Sequence, residues 1–245
     1  MASGTHGYGV VRFDSSLTPG GEGTLTLTLG QLVIDSDVDI QGFDTEKLTV
    51  DGNTTGRVFR VEAGVNAWIS NLTVTGGVAV DGGGIHNVGA LRISGVTLSG
   101  NAAAQHGGAV YNAGDLTAVN STVSGNAAGQ DGGGLYSGGT TSLTNVTIIN
   151  NTADSDDDAG GAGGGAHAAS GDITVHNTVI AGNVRSSAAP VDDDAAGVFD
   201  TASSYNLIGV IDGSSGLDVG IGSQYGAAGA PKDPMLGVLA DNGGP

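Results

Sequence analysis

The sequence predicts an all-β fold, a single-stranded parallel β-helix in which short coils stack into a solenoid. Three observations predict it: a repeat of about 25 residues, alternation of apolar and polar residues within each repeat, and 47 glycines among 245 residues. Alternation is typical of strands. Glycine at this density disfavours helices, because each glycine inside a helix costs about 1 kcal/mol. A period of this length indicates coils that stack and bury a shared interior.

Glycine-rich runs mark the repeats. Runs that begin at Gly82, Gly107 and Gly132 follow one another at intervals of 25 residues, and a fourth begins 31 residues later at Gly163. Between the runs the apolar residues form three columns when the repeats are aligned. We expect the side chains of these columns to point inward and to stack from coil to coil. The columns are Leu98, Val123, Ile148 and Ile180; Ile93, Ala118, Leu143 and Val175; and Ile85, Val110, Leu135 and Ala166.

Asparagine recurs at two further positions of the repeat. One column predicts a sharp bend, because Asn and Gly tolerate the left-handed backbone conformation. The other closes each repeat and predicts an amide ladder, in which stacked side chains hydrogen-bond along the solenoid axis. We interpret both as structural rather than as ligand sites. The bend column is Asn71, Gly95, Asn120, Asn145 and Asn177, and the ladder column is Asn101, Asn126, Asn151 and Asn183.

Composition limits the partners. Seven basic and 25 acidic residues give a formal net charge of −18, which argues against nucleic acid and against an anionic membrane surface. The same charge favours solubility and affinity for cations. No apolar run approaches the 18 residues of a membrane span. Aromatic residues make up 4% of the chain, so the interior must consist of small aliphatic side chains.

The organisation predicted is one continuous domain with three parts. Residues 1–57 contribute N-terminal strands and first coils, residues 58–184 form the regular coils, and residues 185–245 form irregular coils and a tail. Within the tail we expect residues 212–234, which are rich in Gly, Ser, Ala and Pro, to be loops. The chain ends on a turn-like sequence, and we expect it to be a fragment of a larger protein.

An acidic loop accounts for the longer last repeat, since solenoids accept insertions at a corner. Asp154, Asp156, Asp157 and Asp158 could supply oxygen ligands to a hard cation such as Ca²⁺. The alternative interpretation is a solvated acidic loop without an ion. A second acidic run at residues 192–194 allows the same two interpretations.

A column of ring side chains lies two residues beyond the end of each glycine run. His86, Tyr111, Tyr136 and His167 could bind a ligand, for example as a strip on which sugars stack. The alternative interpretation is an outward ring stack that stabilises neighbouring coils. We identify no catalytic residues. The sequence has no nucleophile–histidine–acid arrangement, and its few basic residues do not suit a lyase. Its carboxylates are spread over the coils rather than paired as in a hydrolase.

The repeat resembles a known group of proteins. The pattern Gly82-Gly83-Gly84-Ile85-His86-Asn87, followed by Ser-Thr-Val-Ser-Gly-Asn in the next repeat, is similar to repeats of large bacterial surface β-helix proteins described as carrying a choice-of-anchor region. The copy Gly107-Gly108-Ala109-Val110 is also similar to the GGAI repeat of polymorphic outer-membrane proteins. The resemblance implies a right-handed parallel β-helix on a secreted or cell-surface bacterial protein. It implies no catalytic residue.

Three functions follow as hypotheses. The first is a non-catalytic structural or adhesive module at the cell surface, a stiff solenoid that presents side-chain columns to a cell-surface or extracellular polymer. The second is a carbohydrate-active module that binds or cleaves a polysaccharide. The third is end-to-end self-association into a filament or surface layer, because an unpaired coil end offers strand edges for pairing.

Overall fold

A computed structural model describes residues 9–18, 20–43, 47–158, 160–170, 172–186 and 188–236. The chain winds through about eight turns of a parallel β-solenoid. In the part of the chain just defined, helix is limited to a single 3₁₀ turn, Ser15–Leu17, with Asp14 as its cap. The prediction of an all-β parallel solenoid is therefore confirmed.

Within the described residues, thirty short strands form four sheets that run along the solenoid. The first sheet contains Gly9–Arg12, Val38–Gln41, Asn66–Ser70, Ala90–Ser94, Asp115–Val119, Thr140–Thr144 and Ile173–His176. The second contains Leu32–Ile34, Phe59–Val61, Ile85–Asn87, Val110–Asn112, Leu135–Ser137, Ala166–Ala168, Ala195–Val198 and Ser214–Ser215. The third contains Glu22–Thr26, Lys47–Asp51, Thr73–Thr75, Thr97–Ser99, Thr122–Ser124, Thr147–Ile149, Val179–Ala181, Leu207–Ile208 and Gln224–Tyr225. The fourth contains Val78–Ala79, Ala102–Ala103, Ala127–Ala128, Thr152–Ala153, Val184–Arg185 and Val191–Asp192.

The core consists of stacked aliphatic columns, as the sequence predicts. Leu98 pairs in register with Val123, Val123 with Ile148, and Ile148 with Ile180, and all four side chains are buried. The other two predicted columns are also in register and buried. Like side chains therefore lie above like side chains, and each apolar group leaves water by packing on the coils before and after it.

The predicted amide ladder runs through the interior beside this core. The Nδ2 of Asn101 donates to the Oδ1 of Asn126 at 3.0 Å, and the same bond links Asn126 to Asn151 and Asn151 to Asn183 at 2.9 Å. In each step the backbone N–H of the first asparagine donates to the same oxygen at 3.0 Å. All four residues are buried, so the ladder satisfies polar groups that water cannot reach.

The predicted bend column is confirmed by its backbone. Asn71, Asn120, Asn145 and Asn177 have φ between 48° and 55°, and Gly95 has a φ of 64°. These values lie in the left-handed region that Asn and Gly tolerate best. Three exposed amides of this column also bond from coil to coil, since Asn145 Nδ2 donates to Asn120 Oδ1 at 3.0 Å and Asn177 Nδ2 donates to Asn145 Oδ1 at 2.6 Å.

The tail departs from the prediction. Residues 212–234 are not all loop, because Ser214–Ser215 extends the second sheet and Gln224–Tyr225 extends the third. These strands have two residues each, too few for alternation to be visible. Val184–Arg185 pairs in antiparallel fashion with Val191–Asp192, a local hairpin in an otherwise parallel set of strands. Strands pair across both predicted boundaries, the one after residue 57 and the one after residue 184. The division of the chain into three parts stays a prediction.

The first coils carry apolar side chains at the surface. Val10, Val11, Leu32 and Val33 are between 39% and 53% exposed. An open apolar cavity of about 340 Å³ is bordered by Val11, Leu32 and Val33 together with Phe13 and Phe59. Self-association through coil ends stays a prediction.

Candidate functional site

The four ring residues singled out in the sequence form one outward column, here called the ring file. His86, Tyr111, Tyr136 and His167 are the second residues of consecutive strands of the second sheet, and each pairs in register with the next. The flanking residues of these strands are buried, so alternation turns the rings outward. All four are half-buried.

The rings stack on one another along the solenoid axis. Tyr111 and Tyr136 have centroids 5.2 Å apart and planes within 6° of parallel. Tyr136 and His167 are 5.5 Å apart at 18°, and His86 lies 4.9 Å from Tyr111 with a tilt of 58°. Because the ring faces inside the file contact each other, a ligand beside the file would meet ring edges and the tyrosine hydroxyls. Ligand binding by the ring file stays a prediction. The geometry indicates which edges and hydroxyls a ligand would contact.

A second column flanks the ring file, and sequence reasoning missed it. It consists of Asp81, His106 and Asp131, which precede the glycine runs, and is here called the turn file. The His106 ring stacks on Tyr136 with centroids 4.5 Å apart at 27°. The 25-residue spacing of these three residues was the signal that could have revealed them. The sequence places Asp81 and Asp131 at turn-like positions as separate carboxylates. It did not reveal His106 or the column, because alternation does not apply in turns.

One carboxylate joins the two files. Asp131 Oδ2 lies 3.5 Å from Nδ1 of His106, and its Oδ1 lies 3.5 Å from Nδ1 of His167. Asp131 Oδ1 also accepts the backbone N–H of Ala162 at 3.0 Å, which fixes the carboxylate. The Asp131 carboxylate therefore lies within 3.5 Å of an imidazole nitrogen in each file.

Charged side chains lie beside the His86 end of the ring file. Arg60 is in register with His86 and pairs with Glu62 at 2.6 Å. Burial lowers the pKa of His86, and the nearby Arg57 and Arg60 lower it further, so this imidazole is neutral at pH 7. Burial raises the pKa of the Tyr136 phenol, with Tyr111 and then Asp131 adding to the effect. Tyr136 is therefore a neutral hydrogen-bonding group at physiological pH.

The acidic loop brings together three of its four predicted residues. Carboxylate oxygens of Asp154, Asp156 and Asp158 lie within 4.8 Å of one another, a spacing compatible with a shared cation. Asp157 instead accepts hydrogen bonds from Ser186 Oγ at 2.7 Å and from the backbone N–H of Ala188 at 3.1 Å. It therefore fixes the neighbouring turn. Calcium binding here stays a prediction.

The second acidic run is largely buried. Asp194 is 1% exposed and ends the amide ladder, because its Oδ1 accepts the backbone N–H of Asn183 at 2.7 Å and the Nδ2 at 2.8 Å. Burial raises the pKa of Asp194 to about 6, against the hydrogen bonds from Asn183 and Val210 that lower it. The ladder therefore ends on a titratable group.

We expect Asp194 to make the protein less stable as the pH rises from about 4 to about 6. The folded pKa of about 6 lies above the ordinary value of 3.8. The protonated form is therefore favoured by folding, and its contribution is complete below pH 4 and lost as the pH passes through 6. The difference of about two pKa units corresponds to about 3 kcal/mol.

Denaturant unfolding of the wild type and Asp194→Asn at several pH values would measure this effect. The free energy of unfolding of the wild type should fall relative to the variant across that window. Asp218→Asn removes an exposed carboxylate and should leave the pH dependence unchanged. A wild type that gains stability relative to Asp194→Asn with rising pH would contradict the prediction.

Comparison with known families gives one informative match. Residues 95–113 match the model described as the Chlamydia polymorphic membrane protein repeat. This stretch includes strand Thr97–Ser99, the ladder residue Asn101 and the run from Gly107 to Val110. Neither the search of curated proteins nor the search of solved structures finds a match. Among the residues that the structure describes, no helix has the length and apolar character of a membrane span.

Proposed function

We propose that this chain, which the repeat match and the parallel β-solenoid support as a bacterial surface β-helix repeat protein, is a non-catalytic adhesive module. The match favours a location in the outer membrane or at the cell surface. The chain acts as a stiff support that presents the ring file and the turn file to an extracellular polymer.

The observation that carries this proposal is the ordered strip that the two files form. Four consecutive coils each contribute one ring at the same position. Strands in a sheet lie about 4.8 Å apart, so the four rings span about 15 Å along the axis. An extended polymer lying along this axis would meet a hydroxyl or imidazole edge at every coil. The backbone fixes the spacing, so little side-chain entropy is lost on binding.

The negative charge of the protein limits the class of polymer that the two files would bind. The turn file contributes Asp81 and Asp131, and the whole chain carries a net charge of −18. Polyanions such as nucleic acids or sulfated polysaccharides would be repelled. A neutral or amino-bearing polymer, carbohydrate included, would be accepted. This selectivity is a property of the strip that an experiment can measure.

The test is binding of the purified protein to immobilised neutral, amino-bearing and sulfated polysaccharides and to extracellular matrix protein. The double variant Tyr111→Thr/Tyr136→Thr keeps β-forming residues at outward positions and removes the two hydroxyl-bearing rings. We expect it to bind at least about tenfold more weakly, as for central aromatic residues of other interfaces. The control Thr117→Ala/Ser142→Ala changes an outward column of the first sheet and should bind as the wild type does.

Two outcomes would contradict the proposal. One is a wild type that binds none of the polymers. The other is a ring-file variant that binds as tightly as the control. Cleavage of a polysaccharide by the wild type would favour the carbohydrate-active alternative instead.

A further inference from the structure

The ring file stops where a cavity begins. In the next coil the position in register with His167 is occupied by Ala196. One coil further on, Gly213 precedes strand Ser214–Ser215, and a Cβ built on Gly213 would meet nothing within 4 Å. Two small residues thus stand where the pattern would place two more rings. The space that they leave belongs to a cavity of about 420 Å³, here called the terminal cavity.

His167 supplies a stacking surface at the base of the terminal cavity. One face of its ring rests against Tyr136 at 5.5 Å. The residue above it, Ala196, has only a methyl group, so the other face is not covered by a side chain of that column. A sugar ring is about as thick as one rung of the solenoid, which is about 4.8 Å high. A single sugar ring could therefore continue the stack.

The polar groups of the terminal cavity are mainly acidic. Asp192, Asp193 and Asp212 line it together with a single guanidinium, Arg185. The Asp193 side chain is 9% exposed, and its Oδ2 lies 4.0 Å from Nε of Arg185. That distance is an ion-pair contact and exceeds hydrogen-bond length. The Asp193 carboxylate accepts a hydrogen bond from the backbone N–H of Gly163. Because a carboxylate has about four acceptor sites, it can accept a further hydrogen bond from a ligand.

The geometry points to the terminal cavity as a binding site for one amino sugar unit, with its ring on His167 and its ammonium group at Asp193. The volume lies within the usual range for small-molecule sites. Three carboxylates against one guanidinium favour a cationic ligand over a neutral one, and a neutral one over an acidic one. The ligand's hydroxyl groups can pair with Arg185 and with the exposed Asp192. The inference rests on the proposed function, because it names the ligand at one end of the same face.

Saturation-transfer NMR and competition titrations with four methyl glycosides would test the site. The glycosides are those of glucosamine, N-acetylglucosamine, glucose and glucuronic acid, and they differ mainly in charge and in one substituent. We expect the glucosamine derivative to bind at least tenfold more tightly than the glucose derivative, and the glucuronic acid derivative not to bind. Equal binding of the glucosamine and glucose derivatives, or no transfer to any of them, would overturn the inference.

Two variants locate the site. Asp193→Asn removes the buried charge without changing the size of the side chain, and should reduce the affinity for the glucosamine derivative at least tenfold. Ala196→Tyr adds a ring where the file stops and should abolish binding by filling the cavity. Asp218→Asn also removes one negative charge, but outside the cavity, and should bind as the wild type does. A glucosamine affinity unchanged in both cavity variants, each shown by its melting curve to be folded, would overturn the inference.

The two proposals fail separately. If the polymers bind through Tyr111 and Tyr136 but none of the glycosides binds, the terminal cavity is not a sugar site and the proposed function stands. If the glucosamine derivative binds in an Asp193-dependent manner but no polymer binds, the cavity is a site and the adhesive role fails.

Discussion

Replacing Asn126 with alanine should lower the free energy of unfolding by about 3–5 kcal/mol. The side chain is 1% exposed and makes five hydrogen bonds. Its Oδ1 accepts the backbone N–H and the Nδ2 of Asn101, both at 3.0 Å. Its Nδ2 donates to the carbonyls of Leu98 and Ser124 at 3.0 and 3.1 Å, and to Oδ1 of Asn151 at 2.9 Å. Alanine would leave buried partners unsatisfied, and each such group costs about 1–3 kcal/mol.

A matched control shows whether burial, rather than loss of any asparagine side chain, causes the expected destabilisation. Asn145 also bonds from coil to coil, but it is exposed and has a φ of 55°. Asn145→Gly removes its amide and keeps a residue suited to that backbone, as Gly95 does in the same column. We expect a loss below about 1 kcal/mol, because exposed groups can bond to water. Urea unfolding followed by circular dichroism would measure both variants, and similar losses would contradict the assigned role of burial.

The regular coils could be predicted because alternation within each repeat and the 25-residue period between repeats indicate the same structure. Alternation fixes which residues point inward, and the 25-residue step fixes which residues lie above one another. The file from Leu98 to Ile180 follows from these two facts, and so does the ladder from Asn101 to Asn183. The ring file follows in the same way, since His86 and the residues aligned with it alternate with inward neighbours.

Features outside the strands were harder to predict. His106 and Asp131 repeat at the same step, but their contact with the rings depends on how two turns fold beside a strand. Asp194 continues the asparagine ladder only 11 residues beyond Asn183, because a short antiparallel hairpin of Val184–Arg185 with Val191–Asp192 turns the chain back beside Asn183. No periodicity could indicate that. A second buried amide contact, from Asn87 Nδ2 to Asn112 Oδ1 at 2.7 Å, was also missed. Both residues are buried next to the ring residues, at inward positions where alternation alone would predict apolar side chains.

Replacing Gly108 with alanine should destabilise the fold by at least about 3 kcal/mol. A Cβ at this position would lie 2.3 Å from the carbonyl oxygen of Gly133 and 2.4 Å from that of Ala127. Both are backbone atoms of the following coil, so relief requires the coils to separate. Overpacking costs 1–3 kcal/mol even where side chains can adjust. Here the adjustment would also strain the parallel hydrogen bond from Gly108 N to Gly132 O at 3.2 Å.

Gly125 is the matched control, because glycine is favoured there by the backbone conformation and not by a close contact. Its φ is 64°, but a Cβ there would meet nothing within 4 Å. Gly125→Ala should therefore cost only the 1–2 kcal/mol of a left-handed residue that carries a side chain. Denaturant unfolding of the two variants would compare steric with conformational cost. If Gly125→Ala and Gly108→Ala lose the same free energy of unfolding, close contact between coils is not the reason for glycine at position 108. Gly108 lies inside the segment that matches the polymorphic membrane protein repeat. If Gly108→Ala is the more destabilised, the close approach of the next coil explains why glycine stands at position 108 of that segment.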